Sequence, residues 1–313
     1  MLLRRDKMQL DDLTNDEALA VLFSFAQQNA CIEVSSIWTK FEEEIKYGNR
    51  FFPKTDILGK LDKMREQAKF TINKGEIFYR SRLLHSPFLV KEAADIIAKY
   101  CPEMKGKDPK EIHTYQKVYL PMLELSDEFR RDVSSLFKGR KRFWGYNAKD
   151  SDAPPVNVPS EGRANPRNIS YLYMSDDIKT SIFEVRPHVN QNISVAEIRV
   201  DKNLEIYDFC SEKGTEDISE YFMLQKISEL FSDTKQQAGN DYYATQYISE
   251  YIKKKGYDGI RYKSSLNPEG HNIVLFDTQI HSTTKKKNYT ILNTKVYTVS
   301  GINLQYNQIA PQG

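Results

Sequence analysis

A chain of 313 residues is long enough for one large core or two smaller ones, and 40 % hydrophobic with 28 % charged residues is the balance of an ordinary globular protein. The 19 Tyr and 16 Phe exclude a disordered chain. A formal charge of +2 singles out neither a nucleic acid nor an anionic membrane as partner. Cys31, Cys101 and Cys210 form no C-x-x-C pair and have no histidine cluster near them, which excludes a disulfide framework and leaves no metal site to expect. The charged N-terminus (Arg4, Arg5, Asp6, Lys7) leads into no apolar h-region, and no run approaches about 18 apolar residues. A cytoplasmic protein without a membrane span is expected.

In chain order, Thr14 or Asn15 caps a helix whose apolar face runs through Ala18, Val21, Leu22, Phe23 and Phe25. A second helical pattern follows at Ile37, Phe41 and Ile45 and ends near Gly48, and a third, polar helix is expected from Leu61 to Phe70. Residues 1–72 therefore read as a small helical domain. Gly75 introduces a strand over Glu76–Leu84, then helical stripes return at Ala93, Ile96, Ile97, Tyr100 and at Leu125, Phe129, Val133, Leu136. Pro154, Pro155 and Pro159 mark a loop. Ile169–Ser175 reads as a strand, after which Asp176 caps a short helix with Ile178, Ile182 and Phe183 inward and Pro187 as its stop. Further strands are expected at Ile193–Val200, Leu204–Tyr207, Gly259–Lys263 and Asn272–Phe276. A helix over Asp241–Lys255 has Gly256 as its left-handed cap. The tail alternates like an edge hairpin.

Four stretches stand out: Phe78-Tyr-Arg-Ser-Arg82, Gly162-Arg-Ala-Asn-Pro166 leading into Tyr171-Leu-Tyr-Met-Ser175, Thr180-Ser-Ile-Phe-Glu-Val-Arg186, and Tyr257-Asp-Gly-Ile-Arg-Tyr-Lys-Ser-Ser265 with Asn272-Ile-Val-Leu-Phe276. In this order, with Thr245-Gln246 before the last, they resemble the RES family over about residues 76–277. The N-terminal helices are similar to the HEPN-type domain that precedes RES in longer members. Two departures are visible. Asn168 and Ser170 stand where the family has glycine and proline, and Asn tolerates the positive φ such a turn requires. About eighty residues also separate Arg80 from Arg163, where compact members have few.

The resemblance implies an α+β fold: an ADP-ribosyltransferase-like catalytic domain with a bent mixed sheet over residues 73–280, a helical insertion at 86–160, and a C-terminal hairpin tail over 281–313. It implies a catalytic set of Arg80, Tyr173, Glu184 and Ser264, with Arg163, Arg82, Tyr171, Asn165 and Asn272 toward the bound dinucleotide. Two planar guanidinium forks suit a pyrophosphate; an ordinary structural ion pair is the plainer reading of either. Arg82 is taken to point to the opposite strand face from Arg80, so that one of the two lines the site. Glu184, among apolar neighbours, is either paired or functional. Tyr173 competes with Tyr171, and Ser264 with Ser265.

The implied activity is cleavage of the nicotinamide–ribose bond of NAD as a toxin or defence effector, with inorganic phosphate as co-substrate and no metal. The products would be nicotinamide and ADP-ribose 1″-phosphate. Water or a protein acceptor are the alternatives, the latter making the chain an ADP-ribosyltransferase. An antitoxin or inhibitor protein and a homo-oligomer are expected partners. A reading from another class, an RNA-binding or ribonuclease module, rests on the helical N-terminus, the Arg80-x4-His85 spacing and the basic run Lys138–Arg142 beside Phe143, Trp144 and Tyr146.

Overall fold

The computed structural model describes residues 14–84, 90–107, 126–138, 145–155, 158–212, 217–233, 242–276 and 287–302. Along the chain these form α1 (Asn15–Tyr47), α2 (Ile57–Lys63), β1 (Lys69–Ile72), β2 (Ile77–Leu83), α3 (Val90–Tyr100), α4 (Asp127–Lys138), α5 (Ala148–Ser151) and β3 (Leu172–Ser175). Then come α6 (Ile178–Glu184), β4 (Asn192–Val200), β5 (Leu204–Asp208), α7 (Ile218–Ser232), α8 (Tyr243–Lys254), β6 (Gly259–Lys263), β7 (His271–Leu275) and β8 (Tyr289–Thr298). The fold is α+β, as expected. The chain divides into two compact units, one of Met1–Thr71, Val156–Ile169 and Leu204–Ser265, the other of Ile72–Pro155, Ser170–Asn203 and Leu266–Gly313.

In the first unit, α1 is one helix of 33 residues rather than the two expected. Thr14 and Glu17 close a reciprocal capping box at its start, and nothing between Phe25 and Ile37 breaks the helix: Ala26 to Ser36 contain neither Gly nor Pro. Its C-terminal half buries Ala30, Val34, Trp38, Phe41 and Ile45, a stripe at helical spacing. The polar helix expected at Leu61–Phe70 is instead the shorter α2 followed by strand β1, whose Phe70 and Ile72 are β-formers. Strands β5 and β6 run parallel, with Ile206 opposite Gly259, and α7 and α8 supply the crossover that a parallel pair requires. Tyr207, Phe209, Phe231 and Tyr262 fill the space between helix and strands, Phe231 stacking at 5.4 Å on both Phe209 and Tyr262. The Tyr207 hydroxyl donates to the Leu61 carbonyl at 2.8 Å, and burial raises its pKa far above the usual tyrosine value. Gly256 takes a φ of 93° after α8, as its position predicts.

In the second unit the strands run in the order β7-β3-β2-β4-β8, antiparallel throughout. The tail contributes β8, one strand along β4, and no second strand of a hairpin occurs among its described residues. Helices α3 and α4 of the insertion meet through Tyr100 against Phe129 at 5.2 Å and Lys99 to Asp132 at 2.7 Å. The short helix α6 follows β3 after a two-residue turn and lies against β2, β3 and β4.

Candidate active site

The two-residue period of a strand sorts the candidate residues by face. Tyr79 pairs with Ser175, Ser175 with Asn272 and Tyr173 with Val274, so Tyr79, Ser81, Tyr173, Ser175 and Asn272 share one face of the second unit's sheet. That is the face α6 covers, because the hydroxyls of Ser81 and Ser181 meet at 2.7 Å. Helix α6 turns its polar side to the sheet. Thr180 and Ser181 are buried, whereas Ile178, Ile182 and Phe183, expected inward, are half-buried. The polar face is tolerated because it is hydrogen-bonded: Ser181 to Ser81, and Thr180 to Asn267, whose amide donates at 2.7 Å. Gly270 permits this contact, since a Cβ there would overlap the Thr180 hydroxyl. The helix cap is Asp177, which accepts from the Thr180 amide at 2.8 Å. Asp176, expected as the cap, pairs instead with the His271 ring at 2.8 Å.

At the end of α6, Glu184 is half-buried and Asn272 is 5 % exposed. The Asn272 amide donates to Glu184 Oε1 at 2.7 Å, while its own oxygen accepts from the Ser175 hydroxyl at 2.8 Å. Each partner dictates one end of the amide, so Asn272 is fixed in one orientation and holds the carboxylate through a charge-assisted bond. Directly beyond, Arg186 has a φ of 47°, a left-handed conformation costly for a residue with a Cβ. It turns the chain into Pro187 and ends the helix at the carboxylate.

Arg80 and Arg82 lie on the other face of β2, opposite Ala196 and Ser194. The expectation that the two point to opposite faces is corrected here: residues two apart on a strand point the same way. Arg80 Nη1 donates to the Tyr173 carbonyl at 2.6 Å, and Arg82 Nη2 to the Asp152 carbonyl at 3.0 Å. The Nε of each is buried without a hydrogen-bond partner. The Asp152 carboxylate accepts from Lys287 and, at 2.6 Å, from the Tyr289 hydroxyl. Lys287 thus pairs with the carboxylate of the residue whose backbone carbonyl Arg82 reaches. Burial, reinforced by the neighbouring charge of Arg82, pushes Arg80 down to about 10. Tyr171 is 1 % exposed with its ring 5.0 Å from that of Phe276. It is a core residue with no surface for a ligand, unlike the half-buried Tyr173.

Arg163, Asn165 and Ser264 belong to the first unit. Arg163 Nη1 donates to the Phe231 carbonyl at 3.1 Å, placing the cation at the C-terminal end of α7 where the helix dipole favours it. The Asn165 amide donates to the carbonyls of Ser160, Pro166 and Ile169 at 3.0 to 3.1 Å and so staples the turn that carries Arg163. Asn168 takes a φ of 69° in that turn, the conformation its place in the motif requires. Gln246 Nε2 donates to the Gly162 carbonyl at 2.9 Å, tying α8 to the same turn. Ser264 is 4 % exposed, whereas Ser265 is exposed and donates to the Ser232 carbonyl at 2.9 Å.

Sequence reasoning passed over Ser81, Ser175, Ser181, Asn267 and the Asp176–His271 pair. Their signal was weak: small polar residues at strand and helix positions look like solvent-facing ones until the partner element is known. Of the ribonuclease reading, Arg80 is on a strand rather than a helix, and His85 with residues 139–144 of the basic run lies outside the described residues. Among the described residues no group of His, Cys, Asp or Glu side chains could hold a metal ion. No described helix is long and apolar enough to cross a membrane.

Comparison with a family model covers the last three of the four stretches and leaves Phe78–Arg82 outside the match. Residues 139–292 match the family model described as RES domain. No curated protein matches the chain. A chain in the crystal structure of the M. tuberculosis MbcT–MbcA toxin–antitoxin complex is similar at 13 % identity and a TM-score of 0.34, over 78 % of this chain and 93 % of that one. The matched span, similar to a RES domain, holds Arg163, Tyr173, Glu184, Ser264 and Asn272.

Proposed function

We propose that the protein degrades NAD by breaking its nicotinamide–ribose bond, with Glu184 as the central group, and that it acts as a toxin. The observation that carries this reading is the Ser175–Asn272–Glu184 relay inside the span similar to a RES domain: a half-buried carboxylate held by a buried amide, on the sheet face that also presents the half-buried Tyr173. The chemistry needs little else. The leaving group is a cationic pyridinium that departs neutral, so no acid has to protonate it and the second carboxylate of ordinary glycosidases has no task. One fixed carboxylate next to the ribose stabilises the developing oxocarbenium charge. Tyr173 offers an aromatic face to the nicotinamide. Arg80 and Arg163 are assigned to the pyrophosphate, and Ser264 to the substrate hydroxyls, on the family motif.

Inorganic phosphate is the proposed acceptor, giving ADP-ribose 1″-phosphate. The printed title of the mycobacterial complex, a toxin with its antitoxin, motivates the further proposal that an inhibitor protein restrains this chain. The test is product analysis after incubation with NAD. Nicotinamide release that rises with added phosphate and vanishes in Glu184→Ala supports the reading. Full turnover in that variant overturns the site, and a labelled protein band with labelled NAD and lysate would replace phosphorolysis with transfer.

A further inference from the structure

A row of directly opposed residues crosses the five strands of the second unit. Asn272 on β7 lies opposite Ser175 on β3, Ser175 opposite Tyr79 on β2, Tyr79 opposite Glu197 on β4, and Glu197 opposite Asn293 on β8. Opposed residues share a face, so the row lies on the face that carries the Ser175–Asn272–Glu184 relay. Its far end repeats the arrangement of its near end, a carboxylate held by an asparagine amide. The Asn293 amide donates to Glu197 Oε2 at 2.6 Å, and Lys295 Nζ donates to Oε1 at 2.7 Å. The Lys295 hydrogen bond holds the Glu197 carboxyl below the ordinary carboxylate range.

The row lies at the edge of the covered part of this face. Along β4, Val195 is buried, Glu197 half-buried and Arg199 exposed; along β2, Ser81 is buried and Tyr79 half-buried. The β4–β8 register shifts between Glu197 and Ile198, the kind of bulge that re-aims a side chain beside a site. Among the described residues each Glu197 oxygen accepts one hydrogen bond, and a carboxylate oxygen has two acceptor positions. One position on each oxygen is the pattern that takes the two hydroxyls of a vicinal diol.

Three strand spacings, about 14 Å, separate Asn272 from Glu197. The two riboses of an extended dinucleotide, with the pyrophosphate between them, can bridge that span. With Glu184 at the nicotinamide ribose, we infer that Glu197 binds the 2′- and 3′-hydroxyls of the adenosine ribose, the Tyr79 side chain forming the floor between the two. Acidic side chains take ribose hydroxyls in the same way in other dinucleotide sites. The inference rests on the NAD reading above and adds to it a residue that selects a dinucleotide by its second ribose.

Steady-state nicotinamide release from NAD, and from its analogue with 2′,3′-dideoxyribose on the adenine side, tests this as a cycle of protein and substrate changes. Wild type is expected to show a KM about 10-fold higher for the analogue, the scale of a charge-assisted hydrogen bond. In Glu197→Ala, and in Glu197→Gln, which keeps the shape, that preference should disappear, with KM for NAD raised and kcat unchanged. Lys295→Met breaks the same ion pair but keeps the carboxylate, and should retain the preference. Equal KM values for the two substrates in wild type, or a preference that survives both Glu197 variants, overturn the inference and leave the NAD reading intact. Loss of the preference in Lys295→Met to the same extent as in Glu197→Ala assigns the effect to the packing of β8 and overturns it as well. No nicotinamide release by folded wild-type protein overturns both the inference and the reading it rests on.

Discussion

Replacing Asn272 by Asp changes one atom's character at the centre of the proposed site and leaves the shape intact. The Ser175 hydroxyl can still donate to the retained oxygen, but the amide that donates to Glu184 at 2.7 Å becomes a second carboxylate. Two unit charges about 4 Å apart repel by about 4 kcal/mol at an effective dielectric of about 20, equivalent to about three pKa units. Solvent at the half-buried Glu184 reduces this to one or two units. The pair is then expected to share a proton at a higher pH than a lone carboxylate would take one up. Activity in Asn272→Asp should fall sooner than in wild type as the pH drops, because the carboxylate that stabilises the oxocarbenium ion becomes protonated. Stability should move the other way. A pKa raised in the folded state contributes stability that is present below the unfolded pKa and lost as pH rises through the folded one, so the variant should melt relatively lower at pH 8 than at pH 5. Nicotinamide release against pH, with melting curves at both values, reads both effects. A pH–rate profile identical in shape to wild type would refute the coupling and with it the role of Asn272.

Three further outcomes follow from the same geometry. Glu184→Gln keeps the size and an acceptor for Asn272 but removes the charge, and should lower kcat by at least about 100-fold with the melting temperature little changed; a near-normal kcat in a steady-state assay counts against the site. Gly270→Ala places a methyl group against the Thr180 hydroxyl and should cost about 1–3 kcal/mol in denaturant unfolding, whereas wild-type stability would show that the loop yields freely. Tyr207→Phe leaves the Leu61 carbonyl without its buried donor and should destabilise by about 1–3 kcal/mol by the same assay, with NAD turnover unchanged.

Much of the fold was legible because its signals are local. The β-former run after Gly75 became β2, Gly259–Lys263 became β6, and Asn168 and Gly256 adopt the positive φ their positions ask for. The errors share a different origin. Helix α7 was left unassigned although Met223, Leu224, Ile227 and Phe231 follow helical spacing. Helix α6 was read by its isoleucines, while tertiary hydrogen bonds from Ser81 and Asn267 make its Thr180 and Ser181 the buried side. The apolar face expected to anchor the start of α1 is exposed, since periodicity marks a face but not what covers it. At the site, motif order identified Glu184 and Asn272 separately; that one holds the other depends on β3 and β7 pairing Ser175 with Asn272, which no local pattern specifies. The misreading of Arg82 was an error of strand parity rather than of information.

Consumption of NAD through Glu184, as proposed, is tested by chromatographic analysis of NAD incubated with the purified protein, with and without inorganic phosphate. Equimolar nicotinamide and ADP-ribose 1″-phosphate are expected, formed faster with phosphate and absent in Glu184→Gln. Intact NAD after prolonged incubation with folded wild-type protein would contradict it.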